Sequence, residues 1–178
     1  MYNVIYFTSE VFMNSRERDL LNFMGDFAEN FVTFPGLLVP ENGEEIESTI
    51  QEIFEKNDDP LLFVGIGMNG YWANWFANRF LSPRILFNPI MNPADFFIGV
   101  GDPTEAKRVK SFEDKLHTAH GVPGLILHSP VFSSGMSKVA SMFQTEEFTQ
   151  DQLFNFSKNS SVCLVITNFI NDLDRFAI

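Results

Sequence analysis

A glycine-rich run in the middle of the chain has the residue types and spacing of a ligand-binding or catalytic turn. Residues 65–70 read Gly-Ile-Gly-Met-Asn-Gly and follow the apolar run 61–64. Glycines at this spacing before a helix can hold the pyrophosphate of a dinucleotide against the helix N-terminus. That interpretation also needs an acidic residue about 20 positions later to bind the ribose. The candidate at that distance is the uncharged Asn88, so we do not expect dinucleotide binding, and no cofactor is predicted.

The same run fits a nucleophile elbow, the sharp strand-to-helix turn of α/β hydrolases. In the pattern Gly-x-Ser-x-Gly the middle residue is the nucleophile, and small residues flank it because the turn leaves little room beside it. Here Gly65 holds the first position, Gly67 the middle and Asn69 the last. An elbow at this place would therefore lack a nucleophilic side chain.

Two segments together resemble a known family. The run 65–73, Gly-Ile-Gly-Met-Asn-Gly-Tyr-Trp-Ala, is followed at 87–93 by Phe-Asn-Pro-Ile-Met-Asn-Pro. This combination resembles the YqiA/YcfP-like family of small bacterial esterases, whose members carry a glycine-rich elbow, a Gly-Tyr-aromatic-Ala segment and an Asn-Pro pair. The resemblance implies an α/β-hydrolase-like three-layer sandwich with a mostly parallel sheet and no large lid. We expect it to form one domain over residues 1–178.

The catalytic residues that the resemblance implies are missing from the matching positions. Hydrolysis of this type needs a nucleophile, an oxyanion hole, a base and an acid. Thr8-Ser9 stands where the family has a His-Gly pair beside the oxyanion hole, and the acid loop, 129–134, holds no carboxylate. The base is expected near 160–162, but no histidine follows His128. In the YcfP branch the nucleophile position is also glycine, so that departure is shared.

These losses predict a catalytically degenerate protein, a pseudoenzyme that acts by binding a protein partner or a small ligand. A ligand pocket is expected at the former elbow; an inherited turn kept only for folding is the alternative. The elbow and pocket candidates are Thr8, Ser9, Gly65, Gly67, Met68, Asn69, Gly70 and Phe132. The alternative function is a weak esterase or thioesterase with a relocated serine nucleophile such as Ser9.

Few other side chains suggest chemistry. His117 and His120 have the i, i+3 spacing of helical metal ligands, but no convincing carboxylate pair completes a site. We expect surface histidines there and no bound metal. His128 ends an apolar run and is expected to be structural, although it could serve Ser9 or Ser129 as a base. Cys163 lies on an apolar helical stripe and is expected to be a buried hydrophobe.

Apolar runs and helical spacing predict strands that alternate with helices, which is typical of a parallel sheet covered on both faces. The terminal segment is compatible with a strand or a helix, and its apolar stripe over four turns favours a helix. The predicted strands are 4–7, 32–34, 61–64, 84–87 and 125–127. The predicted helices run from 14 or 15 toward 30, from after Gly43 to before Asn57, over 71–80, over 137–143 and from 162 to the end. Part of 99–121 is also expected to be helical.

Aromatic residues are unusually frequent, since the chain has 21 Phe against 12 Lys plus Arg. Most of them should pack in the core. A partner or homodimer surface is the sharper hypothesis. It would use Trp72, Trp75, Phe76, Phe96 and Phe97.

Charge and composition exclude several classes of function. The net charge of −11 argues against nucleic-acid binding and against docking on an anionic membrane. No apolar run approaches the roughly 20 residues of a membrane span, and one cysteine excludes a disulfide framework. We expect an acidic, cytoplasmic protein. The acids of 41–59 are interpreted as a solvated helix face, with a patch for a basic partner as the alternative.

Overall fold

Six parallel strands form one sheet in the computed structural model, which describes residues 1–8, 14–113, 121–132 and 143–176. The strands are β1 (Tyr2–Thr8), β2 (Ala28–Pro35), β3 (Leu61–Ile66), β4 (Arg84–Phe87), β5 (Gly124–His128) and β6 (Gln144–Glu147). Their order across the sheet is β2-β1-β3-β4-β5-β6, and every neighbouring pair is parallel. The carboxyl ends of the strands therefore meet at one edge, where loops can form a site.

Seven helices accompany the sheet in the described residues. They are α1 (Ser15–Met24), α2 (Val39–Lys56), α3 (Met68–Arg79), α4 (Pro93–Gly99), α5 (Pro103–Glu113), α6 (Gln150–Leu153) and α7 (Ser161–Phe176). Single 3-10 turns occur at Gly36–Leu38 and Pro130–Phe132. None of these helices is long and apolar enough to span a bilayer.

The sheet separates two apolar cores, because the central strands have buried side chains on both faces. One core joins the sheet to α2, α3 and α5, and the other joins it to α1 and α7. This is the three-layer α/β-hydrolase-like arrangement that the sequence predicts.

Several predicted boundaries were wrong. The first helix ends at Met24, with Gly25 as its C-cap, and does not continue toward residue 30. The residues that follow form β2, an edge strand whose alternating side chains mimic helical spacing over a short window. The helix after β3 begins at Met68 rather than at 71. The helix predicted for 137–143 lies outside the described residues except Phe143, and the terminal helix was correctly preferred.

The helix α3 is buried on all sides. Every residue from Asn69 to Asn78 is buried, because the helix lies in the core shared with α2 and α5. Trp72, Trp75 and Phe76 are therefore core residues, which corrects their assignment to a partner surface. Of that predicted surface, Phe96 is 43% exposed, and Phe97 packs partly against the same core.

The acidic residues of 41–59 lie mostly on exposed positions of α2 and the turn after it. Three of them pair with basic side chains, Glu41 with Arg108, Glu47 with Arg79 and Glu52 with Lys56, and Asp59 lies 3.9 Å from the N-terminal ammonium. This face is accordingly solvated and partly neutralised, as an ordinary exposed helix face would be.

Candidate functional site

The connection between β3 and α3 is a single residue, Gly67. Its backbone has φ 60° and ψ −124°, a conformation that side-chain-bearing L-residues rarely adopt. The Gly67 N–H donates to the Phe87 carbonyl at 2.8 Å, and the Gly67 carbonyl accepts from the N–H groups of Gly70 and Ile90 at 3.1 Å each. The chain thus reverses sharply at Gly67, and the bend is held by hydrogen bonds to the neighbouring β4 loop.

The flanking glycines are required by close packing. A Cβ on Gly65 would lie 2.6 Å from the Asn69 carbonyl carbon and 2.8 Å from the Gly70 nitrogen, with the Asn69 oxygen closer still. A Cβ on Gly70 would lie 3.0 Å from the Pro89 Cβ. Gly67 differs, because a Cβ there would meet no atom within 4 Å. The site is therefore open where a hydrolase would place its nucleophile.

We expect Gly67→Ala to lower the free energy of unfolding by about 1–3 kcal/mol through backbone strain alone. The matched control is Gly99→Ala, where a Cβ also meets no atom within 4 Å but φ is not positive. That control should change stability by less than about 0.5 kcal/mol, or raise it slightly. Urea denaturation measures both. Equal stability of the two variants would show that residue 67 does not need its positive φ.

The first turn of α3 offers a backbone donor beside the bend. The N–H groups of a helix's first turn have no intrahelical acceptor and carry partial positive charge. The Met68 N–H is the first of these groups. The N-cap residue of α3 is Gly67, which has no side chain to accept a hydrogen bond from it. A carbonyl or carboxylate oxygen of a ligand could accept from it.

A cavity of about 360 Å³ opens at this bend. It is mostly apolar, and its polar side chains are Asn69 of α3 and Glu105 and Arg108 of α5, which packs in the same layer. The lining residues are Gly36, Leu37, Pro40, Ile66, Gly67, Met68, Asn69, Trp72, Phe97, Glu105, Arg108 and Val109. Volumes of 300–1,000 Å³ are typical of small-molecule sites, so this cavity is suited to a small ligand.

Arg108 is the only cationic group that lines the cavity in the described part of the chain. Its Nη1 lies 3.2 Å from Glu41 Oε1, and its Nη2 lies 2.7 Å from Glu105 Oε1. Two carboxylates thus fix the guanidinium in place at the cavity wall, and its buried Nε–H has no acceptor among the described residues.

The predicted pocket residues divide into three groups. Gly67, Met68 and Asn69 line the cavity, and Gly65 and Gly70 form the turn behind them. Thr8 is buried at the end of β1, and neither it nor Phe132 lines the cavity. Ser9 lies outside the described residues.

Sequence reasoning missed the contribution of α5 and of the turn at 36–37, and assigned Trp72 and Phe97 to a partner surface instead. Glu105, Arg108 and Val109 share one helical face by their i, i+3, i+4 spacing. That spacing was visible in the sequence, but nothing in it indicated that this face lies over the elbow.

His128, the last residue of β5, is buried among backbone and carboxylate neighbours. Its Nδ1 lies 3.9 Å from Glu147 Oε2 and 3.4 Å from the Ser129 carbonyl oxygen. The adjacent Ser129 is 2% exposed, and its N–H donates to Asn88 Oδ1 at 2.8 Å. None of these residues lines the cavity at the elbow.

The loop that follows β6 holds no histidine between residues 148 and 160. At its end Ser160 accepts from the Cys163 N–H at 3.3 Å and donates to the Asn155 carbonyl at 2.6 Å, so it acts in capping and turn formation. Cys163 is buried, and burial raises the pKa of its thiol. It borders a larger open groove between α1 and α7, on the opposite face of the sheet from the elbow.

Metal chemistry has little support at the described positions. No group of three or more His, Cys, Asp or Glu side chains is placed there to hold an ion. His117 and His120 lie outside the described residues.

The comparison with known families decides the affiliation of the chain. A model described as "Uncharacterised protein family (UPF0227)" matches residues 11–119, which is more than half of the sequence. The chain belongs to the UPF0227 family. The matched range contains β3, the Gly67 bend, α3 and β4, so membership in UPF0227 rests on the segment that lines the cavity and confirms the resemblance to the YqiA/YcfP-like proteins.

Solved structures show that this chain has an α/β-hydrolase-like fold. Est1E from Butyrivibrio proteoclasticus is 13% identical with a TM-score of 0.64, over 99% of this chain and 89% of that one. Mouse alpha/beta hydrolase domain-containing protein 10 is 11% identical with a TM-score of 0.57, over 98% and 90%. A structure from work on the metagenome-derived lipolytic enzymes LipS and LipT is 11% identical with a TM-score of 0.55, over 96% and 94%. At these identities the likeness shows the fold alone. No curated protein matches the sequence.

Proposed function

We propose that this UPF0227 protein is a catalytically silent α/β-hydrolase-like protein that binds a small apolar ligand with a carbonyl or carboxylate end. The carrying observation is Gly67, which occupies the strand-to-helix bend with an open cavity beside it and no side chain to attack a bound group. Binding without reaction is the use that remains when a pocket persists and the nucleophile does not.

The chemistry of the cavity supports this ligand class. Leu37, Ile66, Met68, Trp72, Phe97 and Val109 supply apolar walls for an alkyl or aryl body. The polar end of the ligand would face the Met68 N–H, which makes no backbone bond among the described residues, and the positive charge of Arg108 in the cavity wall. A volume of about 360 Å³ favours a short or medium chain over a long one.

No histidine lines the cavity among the described residues, which supports binding over turnover. A serine introduced or relocated near the bend would still need a proton acceptor. His128, at the end of β5, has Glu147 and Ser129 as its neighbours and does not line the cavity. The relocated-serine esterase, with Ser9 as the attacking group, remains the alternative hypothesis.

Isothermal titration with octanoate tests the proposed site, because octanoate carries both a short alkyl chain and a carboxylate. We expect measurable binding to the wild-type protein and at least about tenfold weaker binding to Leu37→Trp, since the larger ring would fill the cavity mouth. Leu38→Trp is the matched control: Leu38 is also exposed but does not line the cavity. Octanol, which lacks the negative charge, should bind more weakly than octanoate.

Two outcomes would overturn the proposal. One is that neither octanoate nor octanol binds to the wild-type protein at millimolar concentration. The other is equal affinity in the Leu37→Trp and Leu38→Trp variants, which would place the ligand elsewhere.

A further inference from the structure

The strand β2 lies at one edge of the sheet and has an unpaired side. Its eight residues, Ala28–Pro35, pair with β1 and with no other strand in the described ranges. An exposed strand edge presents main-chain N–H and C=O groups that can pair with another chain. The edge is accordingly a candidate interaction surface.

The register shows which peptide groups face outward. The Asn3 N–H donates to the Pro60 carbonyl next to β3, so odd-numbered residues of β1 face β3 and even-numbered residues face β2. Val4 is opposite Phe31, and in a parallel pair it bonds to the residues on either side of its partner. The peptide groups of Phe31 and of Thr33, two residues later, therefore point away from β1.

Features that usually protect an edge occur only at the two ends of β2, where Glu29 and Pro35 lie, and not in its middle, residues 30–34. The opposite edge strand, β6, has only four residues and carries Glu146 and Glu147. By contrast β2 is twice as long, and its single charged residue, Glu29, lies at the register shift near its start. Phe31 is 38% exposed on this strand. A long edge with exposed apolar side chains and few charges favours strand pairing.

We propose that two copies of this chain pair antiparallel through β2, about a twofold axis at Val32, to form one continuous sheet. In this register Phe31 bonds through its N–H and C=O to the partner's Thr33, and Thr33 bonds in the same way to the partner's Phe31. The arrangement uses the four outward N–H and C=O groups of Phe31 and Thr33 in each strand. It sets Glu29 opposite the partner's Pro35, so no like charges face each other.

Self-pairing also suits the position of Pro35. Proline has no N–H to donate, and in a sheet it is tolerated where the missing donor would face outward. Because the peptide groups of Phe31 and Thr33 face outward, that of Pro35, two residues later, also faces outward. It lies at the end of the segment that pairs with the second copy. It limits the pairing to the preceding residues and leaves the bonds to β1 intact.

Sedimentation velocity over a range of concentrations tests the dimer. We expect a reversible dimer for the wild-type protein and a monomer for Phe31→Lys, because a lysine would place charge on each side of the axis. Phe96→Lys is the control, since Phe96 is similarly exposed but lies on α4. It should remain dimeric.

A cross-link tests the register without relying on a destabilising change. Across the axis the two Val32 residues form a non-hydrogen-bonded pair with Cα atoms about 4.5 Å apart, within disulfide range. Val32→Cys should form a covalent dimer on mild oxidation, and Thr33→Cys should not, because its copies are offset along the strands. Cys163 is buried and should not interfere.

A wild-type monomer at every concentration would overturn the proposal. So would a folded Phe31→Lys variant that remains dimeric, or a Phe96→Lys variant that dissociates while Phe31→Lys does not. In the last case the interface would lie on α4.

Discussion

Gly65→Ala should lower the free energy of unfolding by roughly 3–5 kcal/mol, near the upper end of what single substitutions do. The new Cβ would lie 2.6 Å from the Asn69 carbonyl carbon and 2.8 Å from the Gly70 nitrogen. These are backbone atoms of the first turn of α3, and that helix is buried on every side. The clash therefore cannot be relieved by rotating a side chain, and the bend itself has to shift.

Urea denaturation with an unchanged m-value measures this loss, and Gly99→Ala serves as the control with no nearby atom. We also expect Gly65→Ala to lose octanoate binding, since the bend forms part of the cavity wall. A Gly65→Ala variant within about 0.5 kcal/mol of the wild type would mean that β3 and α3 are not joined by so tight a turn.

Arg84→Met should raise the free energy of unfolding by roughly 1–3 kcal/mol, because a buried charge that has unpaired N–H groups among the described residues is costly, and apolar replacement removes that cost. Arg84 is the first residue of β4 and is 1% exposed. Neither Nε nor Nη1 has a hydrogen-bond acceptor among the described residues. The guanidinium carbon lies 4.6 Å from the Phe143 ring centroid, a contact that offsets only part of the cost.

Burial lowers the pKa of Arg84 to about 10 from its ordinary value of 12.5. Between these values the unfolded chain binds more protons than the folded chain, so this group's contribution to stability rises with pH through that window. The advantage of Arg84→Met over the wild type should accordingly be full below pH 10 and shrink above it.

Arg84→Ala is the comparison, because it removes the charge and also leaves a cavity. It should be less stable than Arg84→Met by roughly 2–3 kcal/mol. If Arg84→Met were less stable than the wild type, the guanidinium would have a stabilising partner beyond Phe143.

The sequence was most informative where side-chain pattern and local structure agree. Unbroken apolar residues at 61–64 predicted a strand buried on both faces, and the glycine spacing after it predicted a tight turn before a helix. The apolar stripe of the terminal segment predicted α7 in the same way. Each of these features depends on residues close together in the chain.

Features set by distant contacts were not predictable. The strand β6, Gln144–Glu147, is polar and partly exposed, so it joins the sheet through its backbone and leaves no apolar pattern. Phe27, just before β2, and Phe31 within it continue the helical spacing of α1, and only pairing with β1 makes this segment a strand. The face of α5 that carries Arg108 reaches the elbow through packing of separate elements, for which the local sequence has no signal.

The most direct test of the central claim is turnover of p-nitrophenyl butyrate and an acyl thioester by the wild-type protein, with fluorophosphonate labelling in parallel. Without a nucleophile at Gly67 or a histidine after His128, we expect no hydrolysis above the buffer rate and no labelled serine. Hydrolysis that is abolished by a single substitution at the elbow, or by Ser9→Ala together with loss of labelling, would contradict the claim and establish the relocated-serine esterase instead.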